Sequence, residues 1–445
     1  MSKSVTWPSI TLGFGPLQII DGDRGKNYPS QQDFASTGYC LFLNAGNVTK
    51  DGFSFSDVSF INADKDNALG KGKLRRNDVI LTTRGTVGNS AYFDKTIPFN
   101  DVRINSGMVI LRADPSILDP YFLYLFVRSA NFNKQVTSLI TGSAQPQLPI
   151  RDMNRIGLSL PSLPEQRAIA SILGALDDKI ELNRKMSATL EAMARAIFKS
   201  WFVDFDPVRA KAEGRDTGLT PEIAGLFANS FSMENGLQIP EGWHRVPISD
   251  LCEIVGGSTP STTDQRFWNG KNSWATPKDL SDLSFPVLLS TQRMITDEGL
   301  KAISSGLLPS GTVLLSSRAP IGYLAITEIP VAINQGFIAL KPRPVASNLF
   351  LLRWIKSAMQ DIIDRANGST FLEISKSNFR GIHLTCPTSD VMKIFDEVAK
   401  PLYERMVIAQ RESVALAALR DTLLPKLISG DLRVSEVERI LEMSA

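Results

Sequence analysis

The chain has 445 residues, 43% of them hydrophobic and 21% charged, with a net charge of +2. That length allows two or three domains, and the balance excludes disordered and collagenous classes. No apolar run approaches the roughly 18–20 residues of a membrane span, the first residues lack the pattern of a secretory leader, and three scattered cysteines suit free thiols, so a cytoplasmic location is expected.

Charge is uneven along the chain. Residues 1–160 hold 17 Lys and Arg against 13 Asp and no Glu, and residues 241–389 hold 14 basic against 12 acidic residues. The stretch after each block is mildly acidic. Two basic blocks can meet a polyanion while the acidic stretches stand clear; chance imbalance is the plainer reading.

In chain order, the first elements are short β-rich runs, "DVILTT" (78–83) and "GMVILR" (107–112), punctuated by Gly, Asn and Asp. A helical patch follows at 120–136. At "LPSLPEQRAIASIL" (160–173), Pro161 and Pro164 hold the chain extended before a long helix, and Glu165 suits its positive first turn. Steps of four and three from Ile169 meet Leu173, Leu176, Ile180, Asn183, Ser187, Leu190, Ala194, Ile197 and Trp201. This is a coiled-coil seam with apolar ends and a polar middle. Trp201, Phe202 and Phe205 form an aromatic cluster, read first as core packing. Residues 204–240 mix Pro, Gly and charge and read as a linker with room for one short helix.

The second half repeats the first. "VILTTRGTVG" (79–88) is answered by "VLLSSRAPIG" (313–322), which matches Arg84 to Arg318 and Gly88 to Gly322. "INSGMVILR" (104–112) is answered by "INQGFIALK" (333–341), and the segment 142–161 by 368–387. A second helical patch (347–366) and a second long helix follow. The second seam reads Val391, Phe395, Val398, Leu402, Arg405, Ala409, Glu412, Leu416, Leu419 and Leu423. Paired antiparallel, the two helices match polar middle to polar middle. Pro401 should kink or break the second helix. The expected division is a domain over 1–160, a long helix over 161–203, a linker over 204–240, a second domain over 241–388, and a second long helix with tail over 389–445. The fold class is α+β.

Catalytic signatures do not appear. There is no GxxxxGK[ST] phosphate loop, glycine-rich cofactor turn or Asn-Pro-Pro-aromatic motif. His383 and Cys386 make a single H-x-x-C pair with no second half to complete a metal site. Asp177 and Lys179 form a D-x-K without an upstream acid.

Two half-similar domains, each followed by a long helix, resemble the specificity (S) subunit of Type I restriction–modification systems. "LPSLPEQRAIASILGALDDKIELNRK" (160–185) looks like that family's first spacer helix, and "SWFVDFDPVRAKAEG" (200–214) like its exit. Residues 239–280 look like the start of its second target-recognition domain, and "LRDTLLPKLISGDLRV" (419–434) like its C-terminal signature. The likeness covers nearly the whole chain. It implies two duplicated target-recognition domains of mixed α/β structure, separated by an antiparallel coiled-coil spacer with pseudo-two-fold character. It implies a non-catalytic subunit that reads a split site in double-stranded DNA. Two methyltransferase (M) subunits and restriction/translocase (R) subunits would dock on it. S-adenosylmethionine, ATP and Mg would belong to those partners, none to this chain. The rivals are a duplicated coiled-coil scaffold without DNA readout and a DNA enzyme in its own right.

The DNA-contact candidates are the basic and amide residues in loop-like parts of the repeats: Lys71, Lys73, Arg75, Arg76, Arg84, Gln145 and Gln147, then Arg266, Lys271, Lys278, Arg318 and Lys376. Arg pairs bidentately with guanine and Gln with adenine, while the Lys71–Arg76 run suits phosphates. The alternative for each is a solvated charge or a structural Arg. Subunit-interface candidates are Ile169, Leu176, Ile180, Leu190, Ile197, Trp201, Leu402, Leu416 and Leu423.

Overall fold

The computed structural model describes residues 7–142, 145–318, 320–368, 372–437 and 439. The chain forms two compact units, Met1–Ile180 with Ala415–Ala445, and Glu181–Val414.

The first unit contains β1 (Leu17–Asp21), β2 (Cys40–Leu43), β3 (Phe60–Ile61), β4 (Asp78–Thr82), β5 (Ser90–Phe93), β6 (Val102–Ile104) and β7 (Met108–Ala113). Helices α1 (Pro120–Arg128) and α2 (Ala130–Leu139) follow, then the first part of α3 (Leu163–Phe202). An antiparallel sheet runs in the order β1-β7-β4-β5, and a smaller one in the order β3-β2-β6 with β2 and β6 parallel. The central strands β4 and β7 are covered on both faces, which is why their middles, Val79–Leu81 and Met108–Leu111, are continuously apolar. Val79, Leu81, Val109 and Leu111 join a core with Phe122, Phe126, Ile169 and Leu173. Their neighbours Ile80, Met108 and Ile110 face Leu41, Leu43 and Ile104. That alternation is the period of two of a strand.

The second unit contains β8 (Cys252–Gly256), β9 (Trp268–Ala275), β10 (Val287–Leu288), β11 (Arg293–Ile295), β12 (Val313–Ser316), β13 (Leu324–Thr327), β14 (Ala332–Ile333) and β15 (Phe337–Pro342). Helices α4 (Asn348–Ser357), α5 (Met359–Asp364) and most of α6 (Ser389–Ser429) complete it. Its sheets run β8-β15-β12-β13-β10 and β11-β9-β14. Strand for strand this is the first unit's arrangement, with β10 added along the edge. The sequence repeat is therefore a repeat of fold.

The long helices run antiparallel within each unit. In the first, Arg420 Nη1 donates to Asp177 Oδ1 at 2.7 Å, and Leu173 shares a core with Leu427. In the second, Asn183 Nδ2 donates to Glu412 Oε2 at 2.8 Å and Gln410 Nε2 to Ser187 Oγ at 3.4 Å. The polar middle of one helix thus meets that of the other.

Two expectations for the second long helix change. Helix α6 runs from Ser389 to Ser429 through Pro401 without a break. Phe395 and Ala399 before the proline, and Tyr403 and Met406 after it, are buried in one core. Their burial outweighs the roughly 3 kcal/mol of an interior proline. The seam of α6 also shifts past Leu402, because its buried face is set by α4 and the sheet as well as by α3. Arg405 and Leu419 face solvent, while Met406 and Leu424 are buried.

The segment read as a linker carries helices Asp206–Ala212 and Pro221–Ala224 and a hairpin, Phe231–Glu234 with Leu237–Pro240. Val208 and Phe227 enter the second unit's core beside Trp201 and Phe202.

Candidate nucleic-acid interface

In both units the repeated arginine turn is zipped to a second loop. In the first, Arg84 forms an antiparallel bridge with Gln147, Gln147 with Thr141, and Leu148 N–H donates to the Thr83 carbonyl at 2.9 Å. In the second, Arg318 bridges Glu373, Glu373 bridges Asn367, and Ile374 N–H donates to the Ser317 carbonyl at 3.0 Å. The turns close through Gly88 and Gly322, with φ of 98° and 116°. L side chains seldom adopt that region, which explains the matched glycines. The loops differ in chemistry: Gln147 is an amide, whereas the Glu373 carboxylate lies 3.7 Å from the Arg318 guanidinium. Gln145 is exposed nearby in the chain.

The Lys71–Arg76 run is split in role. Arg76 donates to the carbonyls of Asp94 (2.6 Å), Ile97 (3.1 Å) and Phe99 (3.0 Å) and to Asn100 Oδ1 (2.9 Å). Its guanidinium lies over the Phe93 ring at 4.3 Å. It is a structural arginine that ties a loop. Lys73 pairs with Asp66 at 2.6 Å and Asp101 at 2.8 Å. Burial alone would lower its pKa, but both carboxylates hold it well above the usual lysine value. Lys71 and Arg75 are exposed and make no side-chain hydrogen bond or ion pair among the described residues.

In the second unit, Arg266 is gripped by Asp264 at 3.0 and 2.7 Å, Lys271 pairs with Asp297 at 3.1 Å, and Lys278 with Asp282 at 2.9 Å. Lys376 is exposed, its ammonium over Gly256. Sequence reasoning passed over Arg293. It has no basic counterpart in the first unit, and its setting depends on strand pairing.

The seam residues differ in how far they are buried. Ile169 is 1% and Trp201 5% exposed, so neither can reach a partner. Leu176, Ile180, Leu190, Ile197, Leu402, Leu416 and Leu423 are half-buried. The D-x-K acid, Asp177, accepts from Tyr121, Arg128 and Arg420 at 3.0, 3.0 and 2.7 Å, a structural node. Sequence reasoning also missed Gln166, which is fully buried. Its Oε1 accepts from Asp119 N–H at 2.8 Å, and its Nε2 donates to the carbonyls of Ile117 (3.0 Å) and Pro161 (2.9 Å). Glu165 accepts from Arg433 at 2.7 Å, which joins the helix start to the C-terminal motif. Among the described residues, no helix is long and apolar enough to cross a membrane.

Comparison with known proteins agrees with this duplicated architecture. The chain is 27% identical to the Type I restriction enzyme HindI specificity subunit of Haemophilus influenzae, over 92% of this chain and 98% of the relative. It is 25% identical to the Type I restriction enzyme MjaIX specificity subunit of Methanocaldococcus jannaschii, over 81% and 78%. The crystal structure of the Type I restriction–modification S subunit from M. genitalium shares the fold, with a TM-score of 0.58 at 14% identity over 96% and 97% of the two chains. The Type I restriction modification DNA specificity domain matches residues 18–192 and again 240–398. The chain therefore belongs to the Type I restriction modification DNA specificity family and carries its domain twice.

Proposed function

We propose that the chain is the non-catalytic reader of a Type I restriction–modification complex. Each unit recognises one half of a split duplex DNA site, and the long helices hold the halves at a set spacing. Two methyltransferase subunits carrying S-adenosylmethionine dock on it and methylate adenine in each half-site. Restriction/translocase subunits using ATP and Mg join for cleavage.

The observation that carries this reading is the doubled domain: one fold built twice, with different side chains at equivalent loop positions such as Gln147 and Glu373. Base edges are read by side chains, so two copies of one framework can read two half-sites. The docking role is supported by the second unit's long-helix segments, where Leu182, Met193, Ile408 and Val414 are exposed while Asn183 and Ser187 are buried. Exposed apolar side chains of this size suit partner helices.

Co-expression with the methyltransferase subunit, followed by methylome sequencing, tests the proposal. The expected result is one split motif with adenine methylated in both halves. No methylated motif, together with no salt-dependent DNA affinity, would favour the scaffold reading.

A further inference from the structure

The second unit holds one arginine whose setting differs from those of the other basic candidates. Arg293 begins β11 and pairs across the strands with Trp274 of β9. Its guanidinium lies 3.6 Å from the Trp268 ring centroid and 5.2 Å from that of Trp274. The two indoles are themselves fixed. Their rings meet edge to face at 5.0 Å, and their N–H groups donate to the carbonyls of Ser261 (2.9 Å) and Ser258 (3.4 Å). Arg293 is exposed, and among the described residues its guanidinium has no carboxylate or hydrogen-bond acceptor. Arg266, Lys271, Lys278 and Arg318 each face an acid.

Stacking on indole fixes the plane of this guanidinium and limits its rotamers in advance, and leaves its N–H edge open to solvent or a ligand. The strand beneath it is re-aimed by a bulge between Trp268 and Asn272, with Asn269 at φ 58°. Gly270 is required there, because an added Cβ would sit 2.4 Å from the Ile295 carbonyl oxygen. The first unit has the same sheet without this device: with Ile104 matched to Ile333, Phe42 stands where Trp274 does, and Ser59 lies across the strands from it. The two copies differ here in what they could read.

We propose that Arg293 is a base-reading arginine of the second unit, held by Trp268 so that its paired N–H groups meet O6 and N7 of a guanine in the major groove. This rests on the DNA-reading function proposed above. A fixed guanidinium fork suits bidentate pairing with a phosphate or with guanine O6 and N7, and the guanine contact is the one that discriminates between bases.

The experiment uses the full chain in complex with its methyltransferase subunit. Wild type, Arg293→Ala and Arg293→Lys are compared by methylome sequencing and by binding to duplexes carrying the wild-type motif with every single-base substitution. Both variants should relax discrimination at one G·C pair of one half-site, by roughly 5- to 150-fold, and leave the other half-site unchanged. Arg293→Lys keeps the charge beside the indoles, so it decides the matter should Arg293→Ala fail to fold. Unaltered discrimination in Arg293→Lys overturns the inference. So does equal weakening on every duplex with a reduced salt slope, which marks a phosphate contact. A wild-type complex that methylates no split motif overturns the underlying function instead.

Discussion

Glu191 on α3 grips Arg353 on α4 through two hydrogen bonds of 2.5 and 2.7 Å, and Lys356 adds a third at 2.7 Å. Arg353 is 4% exposed, so its charge is neutralised inside the second unit by the long helix. Burial alone would raise the Glu191 pKa, but Arg353 and then Lys356 bring it from 4.5 down to about 2. At about 1.4 kcal/mol per tenfold, that is worth roughly 3 kcal/mol of stability above the unfolded value. The contribution is present at neutral pH and is lost as pH falls from about 4.5 toward 2. Glu191→Gln should therefore destabilise the second unit at pH 7, and the gap to wild type should close at low pH. Denaturant unfolding at a series of pH values measures this, and a gap that does not vary with pH refutes it.

Gln166→Ala should detach the start of α3 from the first unit. It strands one buried N–H and two carbonyls, at a cost of roughly 2–4 kcal/mol. Gln166→Glu should do no better, because a carboxylate cannot donate to the Ile117 and Pro161 carbonyls. Thermal unfolding and limited proteolysis near residue 162 report both effects.

Arg75 and Arg76 are neighbours with opposite expected phenotypes. Lys71→Ala and Arg75→Ala should weaken binding to all DNA sequences and lower the salt slope by about 0.9 each, without loss of stability. Arg76→Ala should instead lower the unfolding midpoint, because four acceptors lose their donor. Salt-titrated binding alongside thermal scans separates the two.

A four-residue insertion near Asn183, matched by one near Glu412, lengthens both helices by about 6 Å. The spacer of the methylated motif should grow by about two base pairs. An unchanged spacer in the methylome of such a variant removes the ruler role.

The duplication was legible because it is written in backbone requirements: Gly88 and Gly322 occupy turns that need positive φ. The seam of α3 was legible because burial on a helix follows from spacing alone. Asn183 and Ser187 proved fully buried where the pattern put a polar middle. The seam of α6 was less legible past Leu402. Its buried face is set by α4 and the sheet as well as by α3, so Met406 displaces Arg405.

The roles of individual arginines were not legible. Arg76 became structural because a loop 18 to 24 residues later delivers three carbonyls and an amide oxygen to it. Arg293 is held by a tryptophan 25 residues earlier, brought beside it by the register of β9 and β11.

By itself, the amino-acid sequence determined the repeat, the two long helices and the family. Those depend on local propensity and on the period at which apolar residues recur. The tertiary structure alone decided which charges are neutralised and which face outward. A guanidinium or ammonium acts over a few ångströms, and the groups that come within that distance are set by the packing of distant segments.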